Sequence, residues 1–403
     1  MLRTVAYVIR SFPEPSETFI AEEAASLMLV GIQPCILHLN EGNYTVVHPS
    51  AKVLLESAKQ LHIKTANAFT ILASFSLWML ASPIRTIRTL IKAVRHPDRW
   101  CYLQALSPAW WCRQHKVDFM HAHFADVNFQ YAAAMSEWSG SPFGVTTHRY
   151  DIFNDPIDPN TACRLYKKAD VFVTISEFNR RYMTEKFGLS PTSIVIVHCG
   201  IDIERFAFVT RQPRLPAEPL RLLNVGRLVS EKGQDILLRA LALVHSRGVR
   251  FQLDIVGGGA LKEDLLALCI ESGIRDFVVF HDSQPEQFVR HLHEIAHVFV
   301  LPSRSEGLPV ACIEALAMGT PTIATRINGI PELIEDGLNG LLIEPEDAKG
   351  LADAICKLEA HPELIEKLRI HGRETVLARF DRKICTQELV SQWTASLKNA
   401  DDR

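Results

Sequence analysis

Short apolar runs separated by segments of helical periodicity recur along most of the 403-residue chain. A parallel sheet with crossover helices produces this alternation. In the first half the runs predict strands at Val5–Ile9, Pro34–Leu39, Phe119–Ala122, Phe143–Thr147, Val171–Ile175 and Ile194–Val197. A long, mostly helical insertion, about 53–114, separates the second strand from the third. The stretch 211–219 carries three prolines in nine residues, which sustain neither a helix nor a central strand. After it the pattern restarts, with strands predicted near Leu220–Val225, Phe251–Val256, Phe277–Phe280, Val298–Leu301, Thr322–Ala324 and Gly340–Ile343. The expected organisation is a first domain over 1–205, a linker over 206–219, a second domain over 220–380, and a last helical segment over 381–403 that packs on either. Two Rossmann-like, doubly wound α/β domains facing one another would place a cleft at the carboxyl ends of both sheets, where ligands bind in open sheets of this kind.

Composition narrows the class without naming it. With 47% hydrophobic and 22% charged residues, the chain is not disordered, collagen-like or a coiled coil. Its net charge of -3 shows no global basic excess, so no nucleic-acid partner is expected. Nine scattered cysteines without a Cys-x-x-Cys pair suit free thiols in a reducing compartment better than disulfides or a zinc site. The first apolar run is interrupted by Arg10 and is too short for a signal segment. Ala66–Ser82 has no charged residue over 17 positions, yet Asn67, Thr70, Ser74 and Ser76 dilute it. A buried or interfacial helix is expected there rather than a spanning one, in a cytoplasmic protein.

Directly after that stretch the charge pattern changes. Between Arg85 and Lys116 there are seven basic residues against one acid, Asp98, with Trp78, Trp100, Trp110 and Trp111 around them. Arg85, Arg88, Lys92 and Arg95 recur three and four apart and share one helix face. Such a segment suits peripheral attachment to an anionic membrane surface, here the inner face of the cell membrane; the alternative is a buried hairpin with a solvated basic edge.

The densest chemistry lies in residues 300–319. A strand ends near Leu301, a loop follows, and Pro309 is placed to be the first residue of a helix. The amides of Gly307, Leu308 and Val310 then form an anion site at a helix N-terminus. Glu306 and Glu314, eight residues apart, flank it; carboxylates accept hydrogen bonds from sugar and ribose hydroxyls, so the pattern suits a ligand with phosphate and hydroxyls. The alternative is that Glu306 caps the helix and Glu314 is merely solvated. Arg227 and Lys232, after the second domain's first strand, are cations fit to grip a diphosphate. Val256-Gly257-Gly258-Gly259 lacks the full Gly-x-Gly-x-x-Gly spacing, so NAD binding is not expected. His121 and His123 share one face of a strand but no third ligand suggests itself, so no metal is expected and residues at an acceptor cleft are the better reading. Ser16 and Glu17 open the first helix, either as ordinary caps or as acceptor contacts.

The ordered set Gly226-Arg227, Lys232-Gly233, Val256-Gly257-Gly258-Gly259, Ser305-Glu306-Gly307-Leu308-Pro309 with Glu314, and Gly329-Ile-Pro-Glu332 before Gly337 and Gly340 resembles the retaining glycosyltransferases of family 4, which have the GT-B fold. In the first domain, the stretch 11–20, Met120-His121-Ala122-His123-Phe124 and Thr147-His148-Arg149-Tyr150-Asp151 look like the colanic-acid and exopolysaccharide branch; Cys199-Gly-Ile-Asp202 resembles the family's junction. The resemblance implies transfer of a hexose from a nucleotide-sugar to a saccharide acceptor, lipid-diphosphate-linked, in exopolysaccharide or lipopolysaccharide synthesis. The nucleotide-sugar is a co-substrate, and the resemblance implies no cofactor and no obligatory metal; the sequence also lacks an Asp-x-Asp triplet. By resemblance Glu314 binds ribose, Glu306 the transferred sugar, and Arg227 and Lys232 the diphosphate together with the amides near Gly307 and Leu308. His148 matches the first-domain histidine that contacts the sugar near its anomeric centre. Arg149 stands where the family usually has glycine, changing the loop or adding a cation for an anionic acceptor. Two other functions remain open: a sugar-nucleotide 2-epimerase on the same fold, and a non-catalytic subunit of a polysaccharide assembly.

Overall fold

The computed structural model describes residues 2–15, 17–45, 47–63, 68–96, 99–154, 158–211, 214–215 and 218–401. They form two compact units, one of residues 1–197 with 385–403 and one of residues 198–384. Each is built on a single parallel sheet with helices between successive strands.

The first sheet has seven strands: β1 (Thr4–Phe12), β2 (Gln33–Glu41), β3 (Lys59–His62), β4 (Phe119–His123), β5 (Phe143–Thr147), β6 (Val171–Thr174) and β7 (Val195–Ile196). Their order is β3-β2-β1-β4-β5-β6-β7. The interior strands are buried almost throughout, as a sheet covered on both faces requires. One face packs around Phe129, Trp78 and Trp138; the other around Phe119, Tyr7 and Trp393. The second sheet has β8 (Leu220–Val225), β9 (Phe251–Val256), β10 (Val278–His281), β11 (Val298–Leu301), β12 (Thr322–Thr325) and β13 (Leu341–Ile343), in the order β10-β9-β8-β11-β12-β13.

Three boundaries differ from the expectation. The insertion contains β3 besides its helices, because an edge strand that pairs only with β2 tolerates the polar sequence Lys59-Gln60-Leu61-His62. The presumed linker 206–219 begins inside the second unit: Phe206 is buried, and Arg211 donates to His293 O and to Thr320 Oγ1. The helix Arg382–Asp401 belongs from Cys385 to the first unit, where the fully buried Trp393 donates its indole N–H to His121 Nδ1 at 3.2 Å. The nine cysteines are all free.

Burial of His293 in the second unit has a measurable consequence. Burial first, and the neighbouring Arg211 charge second, push its pKa down to about 3. The native ring therefore stays neutral where the unfolded chain, titrating near about 6.5, takes up a proton. Below pH of about 6.5 the unfolded state binds more protons, so stability falls as pH falls, by about 1.4 kcal/mol per pH unit from this residue. Urea unfolding of the wild type and of His293→Gln at mildly acidic and neutral pH is expected to show a smaller acid loss in the variant.

Candidate functional site

In the second sheet β8 and β11 are neighbours, but the chain leaves β8 toward β9 and β11 toward β12. This reversal opens a crevice at the carboxyl ends of the two strands. Two loops meet there. After β8 the chain runs through Gly226 and Arg227 into a single 3-10 turn, Ser230–Lys232, before the helix Gln234–Ser246. After β11 it runs from Pro302 to Pro309 and into the helix Val310–Ala317. Gly233, at φ +65°, lets them touch: a Cβ there would lie 2.1 Å from Pro302 O.

At that contact Lys232 Nζ lies 2.6 Å from Glu306 Oε1, and the same oxygen accepts from Ser303 Oγ at 2.7 Å. Asn328 Nδ2 donates to the Glu306 carbonyl at 2.7 Å. Glu306 is 7% exposed, so the pair is largely shielded from water. Pro309 occupies the cap position of the helix, at φ -74° and ψ 114°, and not its first turn as expected, because that ψ lies outside the helical basin. The amides of Gly307 and Leu308 donate to no described residue. Glu314 sits one turn into the helix and is half-buried. Below these groups the buried Cys312 thiol is pushed well up, by burial first and then by Glu306, with Lys232 opposing and Glu314 adding. The charges of Glu306, Lys232 and Glu314 therefore all reach this one thiol. Arg227 is exposed beside it; its carbonyl accepts from Gln234 Nε2 at 3.1 Å. A Cβ on Gly226 would lie 3.5 Å from Lys232 Cδ, in ordinary contact with that side chain. The three glycines after β9 serve this loop: a Cβ on Gly259, at φ +159°, would lie 2.3 Å from Leu228 O.

Arg304 was not anticipated. Its guanidinium bonds both oxygens of Asp235 at 2.8 Å, the Glu346 carboxylate, and the Ser230 carbonyl at 2.7 Å. It therefore ties the Lys232 turn to the Glu306 loop, and its hydrogen bonds hold the Asp235 carboxyl below its usual range. A lone loop arginine carries no sequence signal for this; Asp235 in a first helical turn was the only hint.

In the first unit, His123 ends β4 and His148 follows β5, while His121 lies in the middle of β4. His121 is wholly buried, with Nε2 2.8 Å from Thr146 Oγ1 and Nδ1 accepting from Trp393. Both ring nitrogens are engaged in the core, which corrects its placement at an acceptor cleft. His123 bridges Glu23 Oε1 at 3.2 Å and His148 Nε2 at 3.1 Å, and Tyr7 donates to the same Glu23 oxygen at 2.8 Å. Glu23, His121 and His123 bring ligand atoms within 4.8 Å of one another, but Trp393, an obligate donor, takes the Nδ1 lone pair of His121. The cluster is accordingly a hydrogen-bonded network. Asp151, wholly buried, accepts from the backbone N–H of His148 at 2.8 Å and of Ala125 at 2.7 Å. Burial nevertheless raises its pKa to about 7.

Of the remaining acceptor-side candidates, Ser16 lies outside the described residues. Glu17 occupies the cap of the helix Thr18–Leu29 but makes no side-chain capping bond. Burial, followed by Glu14 and Asp126, raises its carboxyl to about 7. Arg149 opens the short helix Arg149–Phe153 and is half-exposed.

Residues 207–375 match the family model described as glycosyl transferases group 1, and residues 81–205 the model of glycosyltransferase family 4. The chain is 25% identical to the putative colanic acid biosynthesis glycosyltransferase WcaL of Escherichia coli (strain K12), over 96% of this chain and 98% of the relative. It is 28% identical to the amylovoran biosynthesis glycosyltransferase AmsK of Erwinia amylovora over 56% of each chain. Several curated relatives are thus matched over little more than half of their length. The fold is similar to that of Anabaena Alr3699/HepE in its crystal structure in complex with UDP, with a TM-score of 0.74 at 16% identity over 98% of this chain and 100% of the other.

Proposed function

The chain belongs to the family 4 glycosyltransferases and has the GT-B fold, and from that premise we propose that it transfers a hexose from a nucleotide-sugar to a saccharide acceptor with retention of anomeric configuration. The observation that carries this is the Lys232–Glu306 pair beside the unbonded amides of Gly307 and Leu308 at the β8/β11 crevice. Glycosyl transfer builds negative charge on the departing diphosphate and positive charge on the sugar. Cations and helix-terminal amides fixed at the phosphates lower that barrier. In this scheme Arg227 and Lys232 neutralise the diphosphate, Glu306 accepts from hydroxyls of the transferred sugar, and Glu314 accepts from the ribose. His148 contacts the sugar near its anomeric carbon.

The departing phosphate itself takes the acceptor proton on the face it leaves, so neither a protein nucleophile nor a metal has an obligatory step. Relatives named for colanic acid and amylovoran synthesis support a role in bacterial exopolysaccharide or lipopolysaccharide assembly. We further propose a lipid-diphosphate-linked acceptor, met by a cytoplasmic enzyme held peripherally on the inner face of the membrane.

Thermal-shift screening against UDP-, GDP- and ADP-sugars is expected to single out one nucleotide, since a ligand that binds only the folded state raises the melting temperature. With that donor, proton NMR should show a product of retained configuration, formed equally well in EDTA. An inverted product, or complete loss of activity in EDTA, overturns the scheme.

A further inference from the structure

The helix Pro83–Arg95 is inside out for an element that faces water. Its buried positions are Thr86, Thr89 and Ala93, while Ile84, Ile87, Ile91 and Val94 are 75%, 48%, 48% and 66% exposed. Those four recur three and four apart and make one continuous apolar stripe. The orientation is fixed by hydrogen bonds: Thr86 Oγ1 donates to Trp78 O at 3.0 Å and Thr89 Oγ1 to Glu137 O at 3.1 Å. The preceding helix, Ala68–Ala81, extends the same character. It anchors itself through the fully buried Trp78, whose indole donates to Leu106 O, yet leaves Phe69, Leu72 and Leu80 largely exposed.

A soluble surface seldom carries so many large apolar side chains on consecutive helices without a partner. Each of the four stripe residues is followed by an exposed cation: Arg85, Arg88, Lys92 and Arg95. Charge and apolar stripes therefore run side by side along one helix. Arg85 bonds Ser139 O and Lys92 pairs with Glu137, whereas Arg88 and Arg95 have no partner among the described residues. Lys92 and Arg95 also line, with Arg164, Lys168 and the Glu137 carboxylate that pairs with both lysines, a hollow of about 410 Å³ whose charge is net basic. No helix among the described residues is long and apolar enough to cross a membrane, so this surface is suited to lie in an interface.

We propose that the helical pair Ala68–Ala81 and Pro83–Arg95 is a monotopic anchor, its apolar ridge set among the acyl chains of one leaflet and its cations against anionic phospholipid headgroups. The inference rests on the reading of the enzyme as acting at a membrane and assigns the surface and the lipid class that do so. A second copy of the chain fits less well. A two-fold contact through the ridge would bring two rows of cations together with no acid in either helix to face them.

Flotation of the full chain with vesicles of phosphatidylcholine, alone or mixed with phosphatidylglycerol, tests this. The wild type should float with the mixed vesicles and release as salt rises from about 0.1 M to about 1 M, where the screening length falls from about 10 Å to about 3 Å. Ile87→Ser with Ile91→Ser, and separately Arg88→Glu with Arg95→Glu, should each weaken binding about tenfold or more. These positions are exposed, so melting temperature and nucleotide-sugar binding should match the wild type. Failure of the wild type to float, or unchanged flotation of both variants, overturns the anchor. So does a wild-type dimer in sedimentation that the serine variant dissolves. A wild type that floats but binds no nucleotide-sugar leaves the anchor standing and overturns the transferase scheme.

Discussion

Lys232→Ala is expected to lower glycosyl transfer by about a hundredfold while leaving the second unit folded. The ammonium has two tasks in the proposed scheme, pairing with Glu306 and neutralising the departing diphosphate. Charge-assisted hydrogen bonds contribute about 1.5–3 kcal/mol each, and about 2.7 kcal/mol off the transition state is a factor of about a hundred. The variant also leaves the shielded Glu306 carboxylate without its cation. The fold should survive, because Arg304 still binds Asp235, Glu346 and the Ser230 carbonyl across the two loops. Glu314→Ala should act differently, raising KM for the donor through loss of the ribose contact. Steady-state kinetics against donor concentration, with melting temperatures alongside, distinguish the two. Turnover near wild type in Lys232→Ala, together with an unchanged donor KM in Glu314→Ala, would remove the donor site from this crevice.

Much of the second unit was legible because its chemistry is local in sequence. Ser305-Glu306-Gly307-Leu308-Pro309 carries a carboxylate, a flexible approach and a helix start within five residues, and Lys232 follows its strand by seven. What sequence did not reveal depends on residues far apart. Arg304 reaches Asp235 across 69 positions, and Trp393 reaches His121 across 272. Nothing local marks either pairing. His121 and His123 looked equivalent, two apart on one face, yet one is locked to Trp393 and Thr146 while the other bridges Glu23 and His148. β3 escaped because an edge strand needs no apolar alternation. The helix Pro83–Arg95 was visible as a basic face. That its threonines point inward and its isoleucines outward is a property of packing against Trp78 and Glu137, and sequence periodicity is blind to the direction in which a face points.

The second large effect is expected at His148, where His148→Ala should lower kcat by about ten- to a hundredfold, the equivalent of about 1.4–2.7 kcal/mol. The side chain is 6% exposed and packs against the rings of Phe19 and Phe124, with centroids at 4.6 Å and 4.8 Å, while stacking on His123. Burial first, and the neighbouring His123 second, hold its pKa well below the usual histidine range. The imidazole is therefore neutral in the working enzyme and contributes a directed hydrogen bond in place of a charge. Because the folded-state pKa is depressed, this ring stays neutral as pH falls through about 6.5, and His148 should add no histidine limb to the kcat profile there. The loop is pinned independently of the ring, since Asp151 binds the main-chain N–H groups of His148 and Ala125. A lost imidazole should accordingly leave the loop in place, with any fall in melting temperature coming from the lost ring contacts with Phe19, Phe124 and His123. His148→Gln retains a donor and an acceptor and should recover part of the rate. Near-wild-type kcat in His148→Ala, or a loss that tracks a lowered melting temperature in both variants, would reduce the residue to a packing role.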